Sequence, residues 1–154
     1  MVNITATVAW DGKGADMPGR KYSRAHTWAF DGGLTVPASS SPHVVPLPWS
    51  DPKAVDPEEA LVAAAASCHM MSFLFVAAKA GFVIASYSDA AVGKMAKNDK
   101  DRVAITRITL RPAIIFSGKQ PSAAELDQLH HQAHEECFIA NSLLTEIVVE
   151  KPIS

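Results

Sequence analysis

Only two cysteines, Cys68 and Cys137, occur in the chain, so there is no Cys-x-x-Cys pair. A His-Glu-x-x-His motif is missing as well, so neither of these two compact metal signatures is present. Charge is sparse: 19% of residues are charged against 48% hydrophobic, and the net charge of -2 is scattered along the chain. Without a basic patch carrying accessible aromatics, nucleic-acid binding is not expected. The N-terminus has no positive segment followed by an apolar one, which argues against a secretion signal and predicts a cytoplasmic protein. The longest apolar stretch, Ala60 to Phe82, is broken by Ser67, His69, Ser72 and Lys79. That predicts a helix buried in protein, with no membrane span. Repeats and linkers are also lacking, so residues 1–154 are expected to form one domain with a real core.

What is present points to chemistry. In a cytoplasmic chain two cysteines read as reactive or metal-binding before they read as a structural staple. Each stands beside histidine, Cys68 before His69 and Cys137 after His130, His131 and His134. Such a pair is the smallest kit for two-electron thiol chemistry, in which one thiolate attacks an oxidant and the other resolves the product as a disulfide.

The order of elements reads as α+β. Ile4 to Trp10 and His26 to Phe30 alternate as strands, and Asp31 to Gly33 turns the second into Leu34 to Val36. Pro37 to Pro57, rich in proline and serine, predicts a long irregular loop. Asp56 suits a helix N-cap, with Pro57 first in the helix and Glu59 completing a capping box. That helix runs to about Ala80 and stops at Gly81. Val83 to Met95 and Val103 to Phe116 read as two long strands joined by a polar turn at Lys97 to Asp101. A second helix is expected from about Ser122 to Cys137, and Leu143 to Val149 returns as an edge strand.

Spacing alone leaves the thiols ambiguous. Cys68 lies about three turns inside its helix, beyond reach of the helix dipole, which acts over about one turn. A reactive Cys68 therefore needs a borrowed cation, because the thiolate is the nucleophile; otherwise it is a small core residue. His130, His134 and Cys137 follow at i, i+4 and i+7, on one helical face. They could line a polar site, pack in the core, or hold zinc together with Cys68. Arg20 and Arg24 are the cations before the second strand, and arginine keeps its charge when buried. Glu58 stands ten residues before Cys68, about 15 Å along a straight helix, too far for direct contact within that helix.

The segment from Asp56 to Cys68 (Asp-Pro-Glu-Glu-Ala-Leu, a small-residue run, then Ser-Cys) resembles the motif of the OsmC/Ohr family, the osmotically inducible and organic hydroperoxide resistance proteins. That motif reads Asn-Pro-Glu-(Glu/Gln)-Leu, small residues, then Cys. Cys137 followed by Asn141 to Leu143 is similar to the second family signature. Element order and cysteine separation agree over nearly the whole chain. Departures are His69 after the first cysteine, where the family has an apolar residue, and Phe138 after the second, where proline is frequent. They suggest an OsmC-like branch.

The resemblance implies an OsmC-like fold of antiparallel sheets around a buried central helix, in an intertwined homodimer. It implies a peroxidatic Cys68, a resolving Cys137, and activation by Arg24 (Arg20 second) together with Glu58. The implied substrates are organic hydroperoxides, and hydrogen peroxide beside them. No bound cofactor is implied; an external dithiol or a lipoylated protein re-reduces the disulfide. His69 or His134 would move the proton, and Met70, Met71, Phe73 and Phe138 would line an apolar pocket. The alternative of another class is an OsmC-like dimer without peroxidase activity that binds a small ligand, or a metal through Cys68, His130, His134 and Cys137.

Overall fold

Alternation and a glycine turn build the first sheet. The structure, a computed structural model, describes residues 2–150 and gathers into two compact units, Met1–Ala60 and Leu61–Ser154. In the first unit, strands β1 (Ala6–Ala9), β2 (His26–Phe30) and β3 (Thr35–Ala38) form an antiparallel sheet in the order β1-β2-β3. Gly33, at φ 85°, supplies the left-handed turn between β2 and β3. The proline-rich loop after β3 is tied by its backbone: Val55 N–H donates to Pro37 O and Ser39 N–H to Val55 O. Inside it the buried Ser39 hydroxyl accepts from Asp51 N–H at 3.0 Å.

Helix α1 (Pro57–Lys79) starts at the expected cap. Asp56 Oδ1 accepts from Glu59 N–H at 2.7 Å, and Glu59 Oε2 accepts from Asp56 N–H at 3.4 Å. Its C-terminus closes where Gly81, at φ 81°, donates to Ala78 O and Phe82 to Ala77 O. By length and apolar composition alone, α1 would suffice to cross a bilayer. Its buried residues Ala65, His69, Phe73, Val76 and Ala77 fall at three- and four-residue spacing and make it the core helix of the second unit.

That stripe meets two sheets. Phe73, Val76 and Ala77 pack with Phe82 and with Leu129 and Ala133 of α2 (Ala123–Glu136). Ile84 of β4 (Val83–Asp89) and Ile114 and Phe116 of β7 (Pro112–Ser117), an antiparallel pair, cover this cluster. Nearer the helix start, Ala65 packs on Ile108 and Leu110 of β6 (Val103–Leu110). That sheet runs β5-β6-β8, with β5 (Val92–Lys97) antiparallel and β8 (Glu146–Val149) parallel to β6. Complete burial of one side chain such as Phe73 contributes about 1.5–3 kcal/mol, so this stripe dominates the unit's stability.

The two long strands expected from sequence are each two strands. Val83 to Met95 breaks at Ala90–Ala91 and Val103 to Phe116 at Arg111, and each half enters a different sheet. Pro112 has no N–H to continue a ladder, and Arg111 N–H donates to Asp89 Oδ1 at 2.7 Å, a side-chain bond. The last strand begins later than expected, at Glu146, after a single 3-10 turn at Ala140–Ser142.

Gly93 lets α1 approach β5. A Cβ there would lie 2.6 Å from Val62 Cγ2. Gly93→Ala is therefore expected to overpack this contact and destabilise the protein by about 1–3 kcal/mol. A lowered urea midpoint with an unchanged m-value checks it; an unchanged midpoint would show that the helix and strand have slack.

Candidate active site

Cys68 and Cys137 come together. Both are free thiols; Cys68 is half-buried and Cys137 is 1% exposed. The two thiols are near enough to interact: burial first, then the neighbouring Cys68 thiol, push the Cys137 thiol up to about 11, against the backbone N–H groups of Ala140 and Ile139. Ala140 N–H reaches Cys137 Sγ at 3.4 Å. The pair is unequal: Cys137 stays a protonated thiol at neutral pH, while Cys68 is the more accessible sulfur.

Helix geometry explains the positions. Cys68 precedes the buried His69 by one residue, so it sits about 100° round the helix from the core stripe and at its margin. Cys137 is the C-cap of α2, with extended backbone at φ -78°, ψ 107°. Helical geometry ends at Glu136, one residue short of the end expected at about Cys137.

His69 is 1% exposed and lies in the α1 stripe. Its Nε2 is 3.1 Å from His130 Nδ1, and the two ring planes lie within 10° of each other with centroids 5.4 Å apart, end to end as an in-plane hydrogen bond requires. The His130 ring also sits 4.5 Å from that of Phe73. His69 Nδ1 has no partner among the described residues. An orphaned acceptor costs less than an orphaned N–H, so the favoured tautomer has His69 Nε2–H donating to His130 Nδ1. Burial lowers both imidazoles to about 4, aided at His69 by His130 and His134 and opposed at His130 by Asp127.

Several expected roles change. His69 holds no acidic proton to give at neutral pH, which corrects its reading as a proton donor. Phe73 is 0% exposed in the core, so it is not a pocket wall. Met70 is half-buried, while Met71, Phe138 and His134 are exposed. Among the described residues no three His, Cys, Asp or Glu side chains are placed to hold a metal. The set Cys68, His130, His134 and Cys137 is not assembled, because His130 turns Nδ1 to His69 instead.

In the first unit, Arg24 lies over the Tyr22 ring, 3.7 Å from its centroid, and its Nη1 donates to Tyr22 O and Arg20 O. Arg20 is exposed, at φ 58°. Glu58 is half-buried in the first turn of α1 and forms no ion pair with Arg24 among the described residues. Sequence reasoning missed His130 as the partner of His69. The spacing of His69 with Ala65 and Phe73 was the available signal, since a histidine in a core stripe needs a hydrogen-bond partner.

The histidine pair sets a pH dependence. Each imidazole takes its proton near 6.5 when unfolded and near 4 when folded. The unfolded chain therefore binds more protons between those values, and stability is present above about pH 6.5 and lost as pH falls through about 4. NMR titration should find the His69 and His130 ring protons moving near pH 4. Midpoints close to 6.5 for both would contradict the buried pair.

With this geometry in view, known proteins give the family. The family model for OsmC-like proteins matches residues 50–151. An OsmC-like protein of unknown function from Vibrio cholerae is 50% identical, with a TM-score of 0.93 over 97% of this chain and 99% of that one. Two structures share the fold at low identity. An organic hydroperoxide resistance protein from Elizabethkingia anophelis has 15% identity and a TM-score of 0.70, over 98% of this chain and 97% of its own. One from Bacillus subtilis has 16% and 0.66, over 97% of each. No curated protein matches the chain. The α+β architecture, the matched segment carrying both cysteines and the half-identical relative agree: the chain belongs to the OsmC-like family.

Proposed function

We propose that the protein is a thiol-dependent peroxidase that reduces organic hydroperoxides, with hydrogen peroxide a poorer substrate. The observation that supports this best is the neighbouring pair of unequal free thiols, Cys68 and Cys137. In this reading the Cys68 thiolate attacks the distal peroxide oxygen, the O–O bond breaks, and an alkoxide leaves as the alcohol after taking a proton. The resulting Cys68 sulfenic acid condenses with the Cys137 thiol, releasing water and forming the disulfide. An external dithiol, free or on a lipoylated protein, then takes the oxidation by thiol–disulfide exchange. No bound cofactor takes part.

A protonated Cys137 suits the resolving role, since it does not compete with Cys68 for peroxide. Arg24 is the cation proposed to favour the Cys68 thiolate, with Glu58 as its positioning partner. These assignments follow the family resemblance. The protein is proposed to act in the cytoplasm, as one OsmC-like domain per subunit of a homodimer. The exposed Met71, Leu74 and Phe75 on α1 support that assembly, because contiguous apolar surface on a helix marks an interface.

Consumption of cumene hydroperoxide with a dithiol tests the chemistry. Wild type should turn over repeatedly, Cys68→Ser should fall to the uncatalysed rate, and Cys137→Ser should stop after one turnover. Wild type no faster than Cys68→Ser defeats the reading, and undiminished turnover by Cys137→Ser removes its resolving role. For the dimer, sedimentation should show Phe75→Glu shifted to monomer at micromolar concentration; a wild type that is itself monomeric rejects the assembly.

A further inference from the structure

Between α2 and the strands β7 and β8 the second unit holds a groove of about 530 Å³, inside the range of about 300–1,000 Å³ typical of small-molecule sites. Its walls are aliphatic and fixed by the core. Leu126 and Ile114 pack on the Phe73 cluster, and Ile147 and Val149 pack on the Ile108 cluster. No Phe, Tyr or Trp ring lines the groove, and neither cysteine does.

The charge of the lining has one sign. Asp127 on α2 and Glu150 after β8 bring carboxylates, and among the described residues no Lys or Arg lines the groove. Glu150 is held in place, because its N–H donates to Leu110 O at 2.8 Å and its Oε2 accepts from Arg111 Nε–H. Arg111 stands outside the lining and offsets part of the Glu150 charge. The Asp127 charge is felt inside the groove, at the His130 ring, where it opposes the fall in pKa.

The His130 imidazole does not cancel this field. Burial keeps it neutral at pH 7, and its Nδ1 is committed to His69. The carboxylates do not build a metal centre either, since no three ligating side chains come together among the described residues. An acid would be repelled here, and a neutral molecule would use the walls and leave the charge unmatched.

We infer that this groove binds a free aliphatic primary amine, its ammonium drawn to the carboxylates of Asp127 and Glu150 and its hydrocarbon chain against Leu126, Ile114, Ile147 and Val149. An ammonium is a compact charge with three donors, which suits carboxylates carried on two different elements. The inference goes beyond the peroxidase reading and does not depend on it, because binding needs neither thiol.

Calorimetry at neutral pH with three probes of one shape and different charge tests it: hexylamine, hexanol and hexanoate. The amine should bind about tenfold or more tighter than the alcohol, equivalent to about 1.4 kcal/mol, and the acid should be weakest. Glu150→Gln removes one carboxylate and leaves Arg111 unmatched, so it should bring the amine down to the alcohol's affinity. Retained alcohol binding shows that the groove is intact. Asp127→Asn should weaken the amine about threefold, as for an exposed ion pair. By NMR, hexylamine should move the ring signals of His130 and His134. Cys68→Ser, inactive in the peroxidase reading, should bind the amine as wild type does. Acetyl-lysine amide carries the same ammonium on a peptide and should bind more weakly than hexylamine; tighter binding would make this a site for lysine side chains and defeat the free-amine assignment. Equal affinity for the three probes, amine binding indifferent to Glu150→Gln, unmoved histidine signals, or no saturable amine binding at millimolar concentration each overturns the inference.

Discussion

The stripe of Ala65, His69, Phe73, Val76 and Ala77 on α1 is the constraint from which the second unit follows. A helix presents a new face every 100°, so fixing these five against β4-β7, α2 and β6 fixes every other side chain of α1. Small residues set the approach at one end, where Ala65 meets Ile108 and Leu110 and Gly93 clears Val62. Large ones fill the other end, where Phe73 and Phe82 meet Leu129. Cys68 is held at the stripe's margin as a consequence. Its half-exposure is a property of helical phase, set by its neighbour His69 being buried.

The same phase accounts for the cost that the unit carries in its core. His69 occupies a position where an apolar residue would serve packing, and its Nδ1 is left without a partner among the described residues. One ring-to-ring hydrogen bond to His130 offsets part of that penalty. The folded state keeps both imidazoles neutral because a buried charge here would face a second imidazole and low-dielectric surroundings. The hydrogen-bonded neutral rings link α1 to α2, and Cys137 caps α2. Locking the histidines thus locks the sulfur that caps the second helix beside the sulfur at the edge of the first.

How much of this was legible in the sequence depended on whether the signal was local. The caps at Asp56 and Ser122 are side-chain-to-backbone bonds within four residues, and both helices begin where those residues say. β2 is found at His26–Phe30 as its alternation indicates. The corners at Ala90–Ala91 and Arg111 were not legible. Apolar alternation continues through them, and the division is made by pairing with distant strands and by the Asp89 carboxylate taking the Arg111 N–H. At the site, helix spacing placed Cys68 correctly inside α1. It also put Cys137 at the end of the second helix, where it is the C-cap of α2. The pairing of Arg24 with Tyr22 was hidden, since a cation on an aromatic face two residues away has no periodic signature.

The apolarity of α1 makes sense only when both of its faces are considered. This helix carries more apolar surface than one core stripe uses, and Met71, Leu74 and Phe75 remain exposed after the stripe is packed. Such a composition fits a membrane span or a helix packed on two sides by protein. The second unit already uses one side for its own core, with His69 buried in the middle of it, and a histidine needs a polar partner that lipid cannot supply. The remaining face is the one that the proposed dimer would cover. In the proposed dimer that face and the thiol pair share one helix. Burial of Met71, Leu74 and Phe75 by a second copy would lower the dielectric around the margin where Cys68 sits. A lower dielectric alone disfavours a thiolate, so the proposed chemistry demands a cation as strictly as the dimer demands an apolar face.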